Sequence, residues 1–411
     1  MCLTRAAVQG SLSADHCLDP TGDVASFGGH LYSDKAPAVA FLAIPGAEIV
    51  QLPPPSGWHR SGDLRLWFVR LTTGGLALLA CAFLVGRVAE GLAPGWGGAT
   101  LVTFAAGTLA ASLAVDNFDE VPASAVGFAA FLLAWRRRPG WAGLAAGALA
   151  LVEYQAAIVA VVVGVYAALS GARSLGRYAL GLVPGLVLLG LYDEEAFGSP
   201  FHLSYRYVSK QFAEQQKGGL FGIGSPTWHA IRLVLVGNRG LFVVAPVLLA
   251  AGAGLVLLWR RGLRAETLAC AAVSVSFLLL EFGYFDPYGG DSPGPRFFIP
   301  ALPFLAVGLA AAFARWRLPT SILAALSVLA STAMLLTWPA AVNAAQVYRW
   351  SVWRELASLP SHGSSALIST WAQKNVLGWL GMGRLGAAAI VLGAALGALA
   401  IGVRDGYRGV T

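Results

Sequence analysis

Charge is what this chain has least of. Only 12% of its 411 residues are Asp, Glu, Lys or Arg, while 57% are hydrophobic and the mean hydropathy is +0.66. Soluble globular domains carry roughly 25% charged residues, so a water-soluble enzyme is excluded. Cysteine is scarce too: Cys2, Cys17, Cys81 and Cys270 show no paired metal-binding spacing, and the last two fall inside apolar runs. All four read as packing residues. There is no solvent-sized domain between the apolar segments and no repeat of fixed period, which removes support for solenoids and inverted-repeat transporters.

What remains is a succession of apolar runs. About 20 apolar residues cross a ~30 Å hydrocarbon core, and hydropathy places about eleven such segments. They lie near 66–86, 96–115, 120–135, 140–153, 155–170, 178–192, 240–259, 266–284, 297–314, 318–338 and 385–403. The expected fold class is therefore all-α, a polytopic membrane helical bundle with external juxtamembrane helices.

Orientation comes from arginine. If "WRRRPG", with Arg136, Arg137 and Arg138, is cytoplasmic, alternate joints should also be basic. They are: Arg87, Arg173, Arg177, Arg260, Arg261, Arg264, Arg315, Arg317, Arg404 and Arg408 share that side with only Glu90, Glu266 and Asp405 as acids. The opposite side holds every other carboxylate and all six histidines. The net charge of +7 is thus a topology signal, and nucleic acid is excluded as a partner. The same alternation places about 60 N-terminal residues outside the cell without a span to carry them there, so a further transmembrane helix upstream of Met1 is expected.

The organisation that follows is a first external loop with a juxtamembrane helix at 1–63, a bundle at 64–338 with an external loop at 193–239, and an external amphipathic segment with a last span at 339–411. Within the first loop, "VAFLAIPGAEIV" at 39–50 is too short to span and reads as an interfacial helix. The stretch "NAAQVYRWSVWRELASLP" at 343–360 sets Tyr348, Trp350 and Trp353 beside Arg349 and Arg354, as in a helix at headgroup level.

Ionisable groups near a membrane are costly and mark candidate sites. Here they gather at the external ends: Asp34 and Lys35; Asp116, Asp119 and Glu120 in "DNFDEVP"; Glu153; Asp193, Glu194 and Glu195; Asp286, Asp291 and Arg296 in "FDPYGGDSPGPR". The plain alternative is solvated loop charge, and for Lys35 and Arg296 snorkelling to lipid phosphates. His16 and His30 lack ligand spacing and read as loop histidines.

Four segments carry a resemblance: "GGHLYSDKAPAVAFLAIP", "YDEEAFGSPFHLSYRYV", "NRGLFVVAPVLL" and "YGGDSPGPRFFIPALPFLAVGLA". In this order they resemble the GT-C superfamily of polyprenyl-phosphate-dependent membrane glycosyltransferases, whose relatives include protein O-mannosyltransferases and lipid A aminoarabinose transferases. The first is similar to the external-loop signature in which a Lys-Pro-Pro-like element opens a juxtamembrane helix; here it reads Lys35, Ala36, Pro37. The resemblance implies an inverting transferase in the cytoplasmic membrane, with its site facing outside. Its donor would be a polyprenyl-phosphate sugar and its acceptor a glycan, lipid or protein of the cell envelope.

Chemistry assigns the roles. Transfer converts a phosphodiester of charge about −1 into a monoester nearer −2, so cations hold the transition state better than the substrate. Lys35, Arg296 and Arg239 are the expected donor-phosphate ligands. The acceptor hydroxyl needs a carboxylate base. In the superfamily that base lies upstream of the Lys-Pro element, at a place that falls at or before Met1 here, which leaves Asp15, Asp19, Asp23 and Asp34. Asp23 and Asp34 are favoured because Gly22, Gly28 and Gly29 permit close turns around them. Tyr32, Asp119, Glu153, Tyr205 and Asp291 are expected at the substrate, with Phe201 and Tyr207 as further stacking candidates. The sequence specifies no definite cofactor; Glu153 and the "DNFDE" turn offer hard oxygens for a divalent cation such as Mg or Mn. The rival classes are a transporter or lipid flippase, which calls for charges or broken helices at the midplane, and a non-catalytic scaffold of the same fold.

Overall fold

The structure, a computed structural model, describes residues 2–18, 23–48, 61–115, 118–209, 212–216, 218–338, 349–362 and 381–408. It is 76% helical, and the described strands form one two-stranded sheet. Among the described residues, six helices are long and apolar enough to cross a membrane: Leu66–Leu92, Ala172–Phe197, Arg264–Gly283, Arg296–Arg315, Arg317–Thr337 and Gly386–Arg408. Other expected spans are shorter. Gly97–Gly107, Glu120–Trp135, Pro139–Val152 and Tyr154–Ala168 are apolar helices of 10–17 residues. At 1.5 Å per residue these fall short of a ~30 Å core. The run expected at 240–259 is bent by 90° between Trp228–Val244 and Val247–Arg260.

The chain folds as two compact units, residues 1–77, 114–225 and 283–285 in the first and 78–113, 226–282 and 286–411 in the second. The first begins with α1 (Cys2–Val8) and α2 (Asp15–Leu18), followed by β1 (Val24–Phe27), β2 (His30–Ser33), α3 (Ala38–Leu42) and α4 (Ile44–Glu48). Cys2 and Cys17 form a disulfide with Cα atoms 5.5 Å apart, which corrects their reading as packing residues. They stand fifteen positions apart, too far for any local spacing rule, and only the return of the chain at α2 brings them together. Cys81 and Cys270 are buried thiols, as expected.

The strands were not foreseen either, but their cause is in the sequence. Gly28 and Gly29 adopt φ of +60° and +87°, the left-handed pair that a two-residue hairpin turn requires. The interfacial segment is two short helices rather than one, and Pro37 stands at the entry with φ −80°.

The rest of the first unit is helical: α5 (Ser61–Arg70), which runs through a π-helical turn into the next helix, α9 (Glu120–Trp135), α10 (Pro139–Val152), α11 (Ala157–Ala168), α12 (Ala172–Phe197) and the short α13 (Ala213–Gln216). Four glycines let α10 and α12 approach backbone to backbone. A Cβ on Gly143 would lie 2.0 Å from the Tyr178 carbonyl oxygen, and one on Gly185 2.3 Å from Gly147; Gly181 and Gly147 are equally tight. In a membrane such small-residue faces replace the missing hydrophobic drive with dispersion contacts. The other side of α12 leaves Leu180, Leu186, Leu188 and Leu191 exposed, a surface suited to lipid tails.

The second unit contains α6 (Leu76–Leu92), α7 (Gly97–Gly107), α8 (Leu109–Ala114), α14 (Trp228–Val236), α15 (Leu241–Val244), α16 (Val247–Arg260), α17 (Arg264–Gly283), α18 (Leu302–Arg315), α19 (Arg317–Thr337), α20 (Val352–His362) and α21 (Arg384–Arg408). Two of these helical runs are interrupted, at Thr108 and between α15 and α16, and α19 serves both breaks. Ser331 donates to the Thr108 carbonyl at 3.3 Å, and Ser327 accepts the Val247 amide at 3.0 Å. Helix breaks inside hydrocarbon are tolerated where neighbouring side chains satisfy the freed backbone groups. Four residues apart on one helix, these serines share a face. Trp350 is buried against Trp338, ring centroids 5.1 Å apart, and Trp353 donates to the Val243 carbonyl at 2.9 Å. Both make contacts within the protein; Tyr348 lies outside the described residues.

Candidate functional site

The hairpin sets the geometry of the first unit's site. Its register pairs Val24 with Ser33 and Phe27 with His30, so one step further Asp23 comes opposite Asp34. Around it, Asp15 accepts the Leu31 amide at 2.6 Å and meets His30 Nδ1 at 2.9 Å, which commits Asp15 and His30 to holding β2. On the outer edge of β1, Ser209 donates its amide to the Val24 carbonyl at 2.8 Å and Ala25 bridges Val208. Phe27, Tyr32, Phe197 and Tyr207 pack beneath, with Phe197 and Tyr207 stacked 5.4 Å apart. Tyr32 and Tyr207 therefore supply packing, whereas Phe201 is 87% exposed.

Leaving β2, the chain turns at Ser33, whose hydroxyl accepts the Lys35 amide at 3.2 Å. Asp34 is 1% exposed, and its carbonyl accepts the Ser204 hydroxyl at 2.7 Å; Ser204 in turn lies 3.3 Å from the Tyr154 hydroxyl. Lys35 Nζ sits 3.2 Å from Asp34 Oδ2 and 3.5 Å from Asp23 Oδ1. The other Asp34 oxygen, Oδ1, is buried with no hydrogen-bond partner. Burial raises the Asp34 carboxyl above its ordinary value; Lys35 opposes this and Asp23 adds to it.

A second group of acids lies within electrostatic reach. Glu153 leaves α10 in extended conformation and accepts the Gln155 amide at 3.4 Å. Asp119 and Glu120 begin α9, and each of the three offers a carboxylate oxygen within 4.8 Å of the others. Burial raises the Glu153 carboxyl far above its usual range, Asp119 and Glu120 raise it further, and Lys35 works against them. Tyr205 packs on Tyr154 at 5.1 Å and Phe221 at 5.8 Å; burial, then Glu153, Asp119 and Asp34, hold its hydroxyl protonated. Asp193, on α12, is fully buried with neither oxygen hydrogen-bonded. Asp19 and Asp116 lie outside the described residues.

Asp23, Asp34, Lys35, Asp119, Glu153 and Tyr205 thus belong to one neighbourhood in the first unit. Arg239, Asp291 and Arg296 belong to the second, around the turn at 286–296. There Asp286 accepts the Tyr288 and Gly290 amides, and Arg239, 3% exposed, donates to the Ser292 carbonyl at 2.5 Å. Its guanidinium rests 4.0 Å from the Tyr288 ring and 5.5 Å from Trp338, so it braces the turn. Arg296 lies against Gly289, where a Cβ would stand 2.9 Å from its Cγ, and Asp291 is exposed. Ser204 and Tyr154 are site residues that no local pattern marks: nothing in "FHLSYRYV" encodes that its serine reaches Asp34.

No family model and no curated protein matches the chain. Among solved structures it is similar to the crystal structure of ArnT from Cupriavidus metallidurans in the apo state, with a TM-score of 0.52, 15% identity, and coverage of 94% of this chain and 70% of that one. At this identity the likeness is one of fold. What the two chains share is a polytopic helical architecture.

Proposed function

We propose that the chain is an inverting glycosyltransferase that moves a sugar from a polyprenyl-phosphate donor to a cell-envelope acceptor at the external face of the cytoplasmic membrane. The observation that carries this reading is the Asp34–Lys35 pair at the entry of the juxtamembrane helices. One ammonium lies beside a buried carboxylate whose second oxygen has no hydrogen-bond partner. ArnT is a lipid A aminoarabinose transferase, and its shared fold supports a lipid-linked donor. The Cys2–Cys17 disulfide suits an oxidising compartment, as the arginine asymmetry of the joints does.

In this reading Lys35 holds the donor phosphate and offsets the charge it gains. The acceptor hydroxyl oxygen attacks the anomeric carbon from the face opposite the phosphate, and the sugar–phosphate C–O bond breaks with its electron pair left on the phosphate. The Asp34 carboxylate takes the hydroxyl proton. A base in reach contributes about 10²–10⁴-fold. The leaving phosphate is a stable anion and needs no general acid. Asp119, Glu120 and Glu153 form a set of hard oxygen donors that would hold Mg or Mn, and their mutual repulsion is of the kind a divalent cation relieves. Such an ion would add positive charge near the acceptor. Tyr205 offers a ring edge to a sugar.

The test is release of polyprenyl phosphate by the purified protein in lipid nanodiscs, given a panel of polyprenyl-phosphate sugars and envelope acceptors. Release that depends on an acceptor is expected; none across the panel would oppose the assignment.

A further inference from the structure

Lys35 is already occupied by two carboxylates, and they are unequal. Asp34 is 1% exposed, its carbonyl is tied to Ser204, and its Oδ2 lies 3.2 Å from the ammonium. Asp23 is 59% exposed, sits just before β1 and lies at the longer distance of 3.5 Å. Counted as ionised, the three groups carry a net charge of −1, from one ammonium and two carboxylates. A phosphate ester approaching this arrangement meets repulsion unless one carboxylate leaves. Asp34 is enclosed, whereas Asp23 has water to move into.

We propose that Asp23 is a placeholder for the donor phosphate rather than the base: it occupies the position on Lys35 that a lipid phosphate oxygen takes over, and is displaced when the donor binds. This rests on the reading of Lys35 as the donor-phosphate ligand. The ammonium carries three N–H donors, enough to keep Asp34 Oδ2 and accept the phosphate in the place of Asp23. The exchange keeps Lys35 extended towards the site while no donor is present. It also leaves Asp34 Oδ2 beside the cation during transfer. The hairpin register makes the arrangement possible, because it sets Asp23 directly opposite Asp34.

The consequence has a sign opposite to that of a base. Removing the charge of Asp23 should strengthen donor binding, because the phosphate no longer competes for the ammonium. An exposed ion pair limits the gain to about two- to fivefold. The experiment measures binding of farnesyl phosphate, a short polyprenyl phosphate, to the full chain in detergent, with farnesol as the uncharged control. Wild type, Asp23→Asn and Lys35→Ala are compared, and donor KM and kcat are then measured for Asp23→Asn.

We expect Asp23→Asn to bind farnesyl phosphate more tightly, with no gain for farnesol, a lower donor KM and no base-sized loss of kcat. Equal or weaker binding, an equal gain with farnesol, or a kcat loss of about 10²-fold or more would overturn the placeholder role. If wild-type binding depends on Lys35 yet Asp23→Asn brings no gain, only this inference fails. If wild type does not bind farnesyl phosphate, the glycosyltransferase reading fails with it.

Discussion

Ser204 donates a hydrogen bond from its hydroxyl to the Asp34 carbonyl oxygen at 2.7 Å, across 170 residues of sequence. The bond ties the loop after α12 to the residue that precedes the juxtamembrane helices. Ser204→Ala removes a buried hydrogen bond, which costs about 0.5–1.5 kcal/mol of stability. Turnover should fall by more than that implies, because Asp34 loses its support. Ser204→Thr, which keeps the hydroxyl, should recover most of it. Melting in detergent and donor turnover, measured on both variants, check this; equal turnover in Ser204→Ala and wild type would remove the positioning role.

The raised carboxyls make a pH prediction. Asp34 must be ionised to accept a proton, and burial holds it above the ordinary carboxylate range. The acidic limb of the kcat/KM profile should therefore lie above that range, with activity lost as pH falls through the raised value. Stability runs the other way. A carboxyl raised in the folded state binds protons more tightly there than in the unfolded chain, so its contribution declines as pH rises from the unfolded value through the folded one. Glu153 is raised further by Asp119 and Glu120. The melting temperature of Glu153→Gln relative to wild type should accordingly climb as pH rises above the ordinary carboxylate range. A difference that does not vary with pH would contradict the arrangement.

Divalent cations supply a third test. If Asp119, Glu120 and Glu153 hold one, addition of Mg or Mn should raise the melting temperature of wild type at neutral pH, and Glu153→Gln should weaken that shift.

The α10–α12 contact predicts a severe packing defect. A Cβ at Gly143 meets the Tyr178 carbonyl oxygen at 2.0 Å, so Gly143→Ala requires the two backbones to separate. Overpacking of this kind costs about 1–3 kcal/mol, and Gly143→Leu more. Since α10 ends at Glu153, activity should fall together with the melting temperature.

How much of this was legible before the structure differs by element, for physical reasons. The membrane class, the helical bundle and the entry at Pro37 follow from hydropathy and proline stereochemistry, which act locally. The grouping of Asp23, Asp34 and Lys35 also had a local cause: two glycines at 28 and 29 dictate a two-residue turn, and the register that follows sets Asp23 against Asp34. The hairpin itself went unread because the alternation in "VASF" and "HLYS" is only four residues long on each side. The Cys2–Cys17 bond, the Ser204 contact and the serines of α19 that serve two helix breaks depend on chain return, which no spacing encodes. Helix breaks at Thr108 and before Val247 were likewise hidden, since an apolar run looks the same whether it is straight or bent.

The central claim is that Lys35 holds the leaving phosphate while Asp34 takes the acceptor proton. Its most direct measurement is single-turnover release of polyprenyl phosphate by wild type, Lys35→Ala and Asp34→Asn, each shown to be folded by its melting curve. The account predicts that both variants lose at least about 10²-fold in rate, and that Lys35→Ala also loses donor affinity. Wild-type rates in either folded variant would contradict it.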